Sequence, residues 1–93
     1  MRTIEWTGRF KRDYKREKKG PHRNTLDAEL TEVLTLLQAD KTLPDKYRDH
    51  ALGGEWKDCR DCHIRPDIVL IYRKPDDETL QLIRLGSHSE LSL

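Results

Sequence analysis

Four histidines stand at positions 22, 50, 63 and 88. Histidine is the side chain whose ordinary pKa, about 6.5, suits it to give and take protons near neutrality. His22 sits in a Gly-Pro turn and is most cheaply explained as a surface residue. The other three differ, because the order of predicted elements can gather them. His63 ends a strand, Asp67 opens the next across the Arg65-Pro66 turn, and His88 follows the last strand after Gly86. His50 lies just before the strand that carries Trp56. Three imidazoles and a carboxylate at one end of a sheet would make an acid/base site. Taken singly, each reads as a surface or half-buried side chain.

The elements that must position these residues follow from periodicity. Arg2 to Trp6 alternates weakly as a short strand. Thr7 is placed to cap a helix with Phe10 and Tyr14 on one face, stopped by Gly20-Pro21. A second helix is the clearest element: Asn24 and Asp27 read as a cap pair, and Leu26, Leu30, Val33, Leu34 and Leu37 share one face. From Trp56 onward the pattern is strand. Trp56, Asp58, Arg60, Cys62 and Ile64 are expected on one face, with Lys57, Cys59, Asp61 and His63 on the other. Ile68 to Tyr72 reads as a central strand, and a turn at Lys74 to Asp77 leads to a last strand over Thr79 to Leu85. The predicted fold is α+β in the order β-α-α-β-β-β, two N-terminal helices packed on a mostly antiparallel sheet, as one domain over residues 1–93.

The chain has 93 residues, 34% hydrophobic and 38% charged, so the core is small and the surface heavily charged. No apolar run approaches the ~20 residues of a membrane-spanning helix, and no secretory leader is evident, which points to a small soluble intracellular domain. The net charge of +1 conceals an uneven distribution. Residues 1–23 carry nine Lys or Arg against three acids. That strip, with Phe10 and Tyr14 among the cations, suits a phosphate backbone; a solvated helix face with pairs such as Asp13–Glu17 among lysines explains it equally well.

Cys59-Arg60-Asp61-Cys62-His63 has the form of a c-type haem attachment string. The only methionine is Met1, which leaves no ordinary distal ligand, and residues three apart on a strand point to opposite faces. Zinc on Cys59, Cys62 and histidine meets the same strand geometry and lacks a second C-x-x-C. Two free, half-buried cysteines are the expectation, and no metal or cofactor.

One ordered series spans nearly the whole chain: Asp49-His50, Trp56-Lys57, Arg60-Asp61-x-His63-x-x-Pro66-Asp67, Leu70-Ile71-Tyr72 and Arg84-x-Gly86-Ser87-His88. It closely resembles the YafQ branch of the RelE/ParE toxin superfamily, as do the FKRDYKR stretch and the leucine-faced helix. The resemblance implies the toxin of a bacterial type II toxin–antitoxin pair, a cytoplasmic endoribonuclease that cuts messenger RNA in the A site of a translating 70S ribosome. It implies catalytic roles for His50, His63, Asp67 and His88, and places Arg84 near the phosphate. Lys57, Arg60 and the N-terminal cations, Lys15, Lys18 and Lys19 among them, would contact the substrate. A small RelB/DinJ-like antitoxin would be the partner, with DNA contacted only through the toxin–antitoxin complex.

Metal-free RNA cleavage needs a general base for the ribose 2′-OH, charge stabilisation on the phosphorane and a general acid for the departing 5′-oxygen. On this reading His88 is the main proton donor, His50 or Asp67 the base, and His63 a support for the transition state. Two departures stand out. Ser92 occupies a position often aromatic in the family, where base stacking would contribute about 1–3 kcal/mol. The overall positive charge is also modest. The rivals are a non-catalytic ParE-like inhibitor of gyrase, which would lack this histidine set, and a metal-binding module through Cys59, Cys62 and His63.

Overall fold

A computed structural model describes all 93 residues. The chain runs β1 (Thr3–Trp6), α1 (Gly8–Glu17), α2 (Leu26–Gln38), β2 (His50–Ala51), β3 (Arg60–Arg65), β4 (Ile68–Arg73), β5 (Thr79–Gly86) and α3 (His88–Leu91). Single 3₁₀ turns occupy Asp45–Tyr47 and Gly54–Trp56. The five strands form one sheet in the order β1-β5-β4-β3-β2. Only the β1–β5 pairing is parallel; the other three are antiparallel.

Thr7 caps α1 as expected, its hydroxyl accepting from the Phe10 N–H at 3.2 Å. The cap of α2 differs from the expected Asn24–Asp27 pair. Thr25 holds the N-cap position without a side-chain bond, while Asp27 accepts from the Tyr14 hydroxyl and from Lys18 at 2.9 Å. That carboxylate ties the two helices together.

Leu26, Leu30, Val33, Leu34 and Leu37 bury the apolar face of α2, and Phe10 that of α1, against Cys62, Leu70, Tyr72, Leu80, Leu82 and Leu85. Full burial of a side chain of this size contributes about 1.5–3 kcal/mol, so this face supplies most of the cohesion. The opposite face carries a smaller cluster of Cys59, Val69, Ile71 and Leu91, with Leu52, Trp56 and Ile83 packed around it. Leu91 anchors α3 there.

β3 is shorter than predicted. Trp56 belongs to a 3₁₀ turn, and Asp58 takes a left-handed φ of 70°, which interrupts any strand, so pairing begins at Arg60. The predicted alternation nevertheless survives. Cys62 and Ile64 enter the helix-side core, while Asp61 and His63 stand opposite Ile71 and Val69 on the other face. β2 and α3 carry His50 and His88; neither element was expected, because two and four residues leave no periodicity to read.

Candidate active site

The face opposite the two long helices gathers three of the four histidines around a buried carboxylate. Asp61 is only 2% exposed, and β2 lays His50 directly across from it. His50 Nδ1 lies 3.1 Å from Asp61 Oδ1 and 2.8 Å from the Arg48 carbonyl. A carbonyl only accepts, so the bond to Arg48 places the hydrogen on Nδ1 and leaves Nε2 of the neutral ring with a free lone pair. Asp61 Oδ1 receives no aligned hydrogen bond from any side chain. The rings of His63 and His88 meet edge to face, with centroids 5.0 Å apart.

Each arm has its own support. Arg48 adopts the left-handed region at φ 50°, which turns its carbonyl back toward His50. Next to it, Asp49 accepts from the Tyr72 hydroxyl at 2.5 Å and from Arg60 at 3.1 and 3.3 Å, pinning the approach to β2. His88 opens α3, which carries a full capping box: the Ser87 hydroxyl accepts from the Glu90 N–H, and the Glu90 carboxylate from the Ser87 N–H. Glu90 also pairs with Arg16 of α1 at 3.0 Å. A Cβ at Gly86 would stand 2.7 Å from Arg16 Nη2 and 3.1 Å from Glu90 Oε1, so a side chain there would push the tips of this ion pair aside.

Electrostatics separate the members. Burial pushes the Asp61 carboxyl above its ordinary range, against the pull of His50, His63 and His88. Burial likewise lowers His63; Asp61 opposes this and His88 reinforces it, and the net shift is downward. His63 is therefore a neutral imidazole near neutrality, beside an acid that burial makes reluctant to ionise. A cleft of about 540 Å³ adjoins His63 between β3, α2 and the Asp45–Tyr47 turn, with Lys46, Arg48 and Arg65 among its cations.

Other expected site residues lie elsewhere. Asp67 bonds His22 Nε2 at 2.8 Å instead of joining the histidine group, and that bond lowers its carboxyl pKa. His22, read as a simple surface residue, therefore has a partner. Arg84 Nε meets Asp13 Oδ2 at 2.6 Å; the same Asp13 also accepts from Arg16 and from the Leu85 N–H. Asp13 is thus a buried hub and not part of an exposed Asp13–Glu17 helix pair. Arg60 serves Asp49 and Lys18 serves Asp27. Lys15, Lys19 and Lys57 are exposed, and Lys15 and Lys19 belong to the helical layer on the opposite side of the sheet from His63.

Asp61 is the residue that sequence reasoning missed as a site member, although its strand parity with His63 was available. The zinc alternative fails on geometry. Cys62 lies in the helix-side core and Cys59 in the small cluster on the other face, so the two thiols cannot converge. Burial raises both above the usual thiol range. No group of three His, Cys, Asp or Glu side chains is arranged to hold a metal ion.

The profile of YafQ, described as a bacterial toxin of type II toxin–antitoxin systems, matches residues 2–93. This chain belongs to the YafQ toxin family. It is 38% identical over 92 residues to the mRNA interferase toxin YafQ of Escherichia coli K12, covering 98% of this chain and 96% of that one. Its backbone superposes on a copper-bound variant of a toxin from Helicobacter pylori with a TM-score of 0.89, at 40% identity and 98% and 99% coverage. It also matches the E. coli DinJ–YafQ complex, at TM-score 0.82, 38% identity and 98% of each chain. In this chain the histidine group stands on the face that the two long helices leave open.

Proposed function

We propose that this YafQ-family toxin is an endoribonuclease of the bacterial cytoplasm that cleaves messenger RNA in the A site of the translating ribosome, by proton transfer without a metal ion. The observation that carries the reading is the convergence of His50, His63 and His88 about Asp61. Its membership in a family whose E. coli relative is named an mRNA interferase supports the substrate class. The partner would be a DinJ-like antitoxin, after the E. coli complex.

His50 is the general base in this scheme. Its Nδ1 hydrogen is committed to the Arg48 carbonyl, so Nε2 is the atom that takes the 2′-OH proton. The 2′-oxygen attacks phosphorus, the P–O5′ bond breaks, and His88 in its imidazolium form gives a proton to the departing 5′-oxygen. The products are a 2′,3′-cyclic phosphate and a 5′-hydroxyl. Asp61 steadies the imidazolium that forms at His50. His63, neutral and edge-on to His88, hydrogen-bonds the phosphorane. Asp67, held ionised by His22 and apart from the histidine group, would orient the nucleotide or serve as an auxiliary base. Arg84, paired with Asp13, holds the last strand on α1 and so supports the site from behind, and Lys57, Arg60 and the cations of α1 approach the ribosomal RNA.

The test maps RNA 5′ ends after adding purified toxin to programmed ribosomes, beside free RNA and His88→Ala. Cuts at codon boundaries only on ribosomes, absent with His88→Ala while ribosome binding persists, are expected. Equal cutting of free RNA, or full activity of His88→Ala, would overturn the assignment.

A further inference from the structure

The attacked phosphate needs a cation, and the arginine expected to supply it is engaged elsewhere. When the 2′-oxygen adds to phosphorus and its proton passes to His50, the phosphate group goes from one negative charge to two, and a fixed cation aimed at it lowers the barrier. Arg84 is held by Asp13, and Arg60 by Asp49. Three lysines or arginines line the cleft of about 540 Å³ beside His63. Arg65 is bound to Glu29 and Thr25, and Lys46 lies over the ring of Tyr47, 5.0 Å from its centroid.

Arg48 is the third. Its guanidinium is exposed and unpaired, and the bonds this residue makes run through its backbone: the N–H donates to the Asp45 carbonyl at 3.0 Å, and the carbonyl accepts from His50 Nδ1. Burial leads the downward shift at His63, Asp61 opposes it, and the charges of His88 and Arg48 add to it, so the guanidinium acts on that ring. The backbone of Arg48 stands at φ 50° and ψ 42°, a region that residues with a Cβ rarely enter. Glycine or asparagine would turn a carbonyl toward His50 with less strain. An arginine kept in that conformation beside a histidine group points to work for its side chain.

We propose that the Arg48 guanidinium binds the attacked phosphate and stabilises the charge that develops on it. One residue then serves the base through its carbonyl and the phosphate through its side chain. The planar fork suits two phosphate oxygens at once. Its charge also disfavours a second cation at His63, which leaves that ring neutral, with one N–H for the same phosphate. The substrate comes from the endoribonuclease reading; the residue comes from the cleft.

The experiment compares wild type, Arg48→Asn and Arg48→Lys on programmed ribosomes, by single-turnover cleavage at saturating toxin and by ribosome affinity. Asparagine accepts the left-handed backbone and keeps the carbonyl on His50, so it removes the guanidinium alone. Arg48→Asn should slow cleavage by about 10²-fold, with ribosome affinity and thermal unfolding close to wild type. Arg48→Lys should recover about tenfold of that loss, since an ammonium keeps the charge without the fork. A second readout needs no ribosome: inorganic phosphate titrated against the His63 ring protons by NMR. Phosphate affinity at that ring should fall by about tenfold in Arg48→Asn. Unchanged cleavage in Arg48→Asn overturns the assignment. So does a loss confined to ribosome affinity, which would make Arg48 a contact to ribosomal RNA, and so does an equal phosphate response in both proteins. If wild type cuts no RNA, the endoribonuclease reading fails, and the phosphate comparison still decides whether Arg48 holds the anion.

Discussion

Arg84 Nε lies 2.6 Å from Asp13 Oδ2, joining the last strand to the first helix through a carboxylate that is 4% exposed. Three donors meet that carboxylate: Arg84, Arg16 and the Leu85 N–H. Arg16 then passes the connection to Glu90 in α3, and so to the helix that carries His88. A pair that looks like substrate-binding charge plus surface helix charge is a structural link from the core to a histidine of the site.

Removing one partner leaves the other charge buried. Asp13→Ala should lower the unfolding free energy by about 3–5 kcal/mol, read by urea denaturation. Burial alone would raise the Asp13 carboxyl, but the bonds from Arg84, Leu85 and Arg16 together hold it below its ordinary range. A lowered native pKa means that the unfolded chain binds the proton more tightly. The stabilisation is therefore present above about pH 4 and lost as pH falls through the native value. Asp13→Ala should flatten that acid limb; a limb unchanged in the variant would remove Asp13 from this role.

Asp61 carries the opposite sign. Its carboxyl is raised, so the native state holds the proton more tightly, and the associated stability is lost as pH rises through the native value. At neutral pH the ionised group is a burden to the fold. Asp61→Asn should raise Tm at pH 7.5 and change it little at pH 4, while lowering cleavage by about 10²-fold or more. A variant less stable at pH 7.5, or one fully active, would contradict this account.

His63 should titrate below the ordinary histidine range. Its lowered pKa keeps it neutral until pH falls below the usual value near 6.5. Asp61→Asn removes the anion that opposes the shift at His63, and should move its titration to still lower pH. Ring-proton NMR shifts of His63 followed across pH 5–8 would measure both; a titration moving upward in the variant would refute the coupling.

Tyr72 touches no member of the histidine group but donates to Asp49, one residue before His50. Tyr72→Phe should cost about 1 kcal/mol, since Arg60 still satisfies Asp49. Cleavage should fall more than that stability loss implies, because the segment leading into β2 is loosened. Hydrogen exchange at residues 48–51 should speed up in the variant; unchanged exchange with reduced activity would place the effect elsewhere.

Much of this architecture was legible in the chain. The leucine spacing of α2, the cap at Thr7, the apolar run of β4 and the parity that sets Cys62 and His63 on opposite faces all reappear in the structure. These are local properties, fixed by helix and strand periods within a few residues. The ordered series ending at His88 also pointed to the family, which the profile match bears out.

What the chain alone could not decide were the partnerships. That Asp61 lies beneath three imidazoles, that Asp67 turns to His22, and that Arg84 is taken by Asp13 depend on residues 11 to 71 positions apart meeting across the sheet. The two elements that deliver His50 and His88 are too short to have a period, and beyond the capping box of α3 they rely on tertiary contacts. Hydrophobic alternation chooses the face on which a side chain stands. Which charge it meets there is decided by packing, because burial makes an unpaired charge costly and so selects the arrangement in which Asp13 and Arg84 are joined.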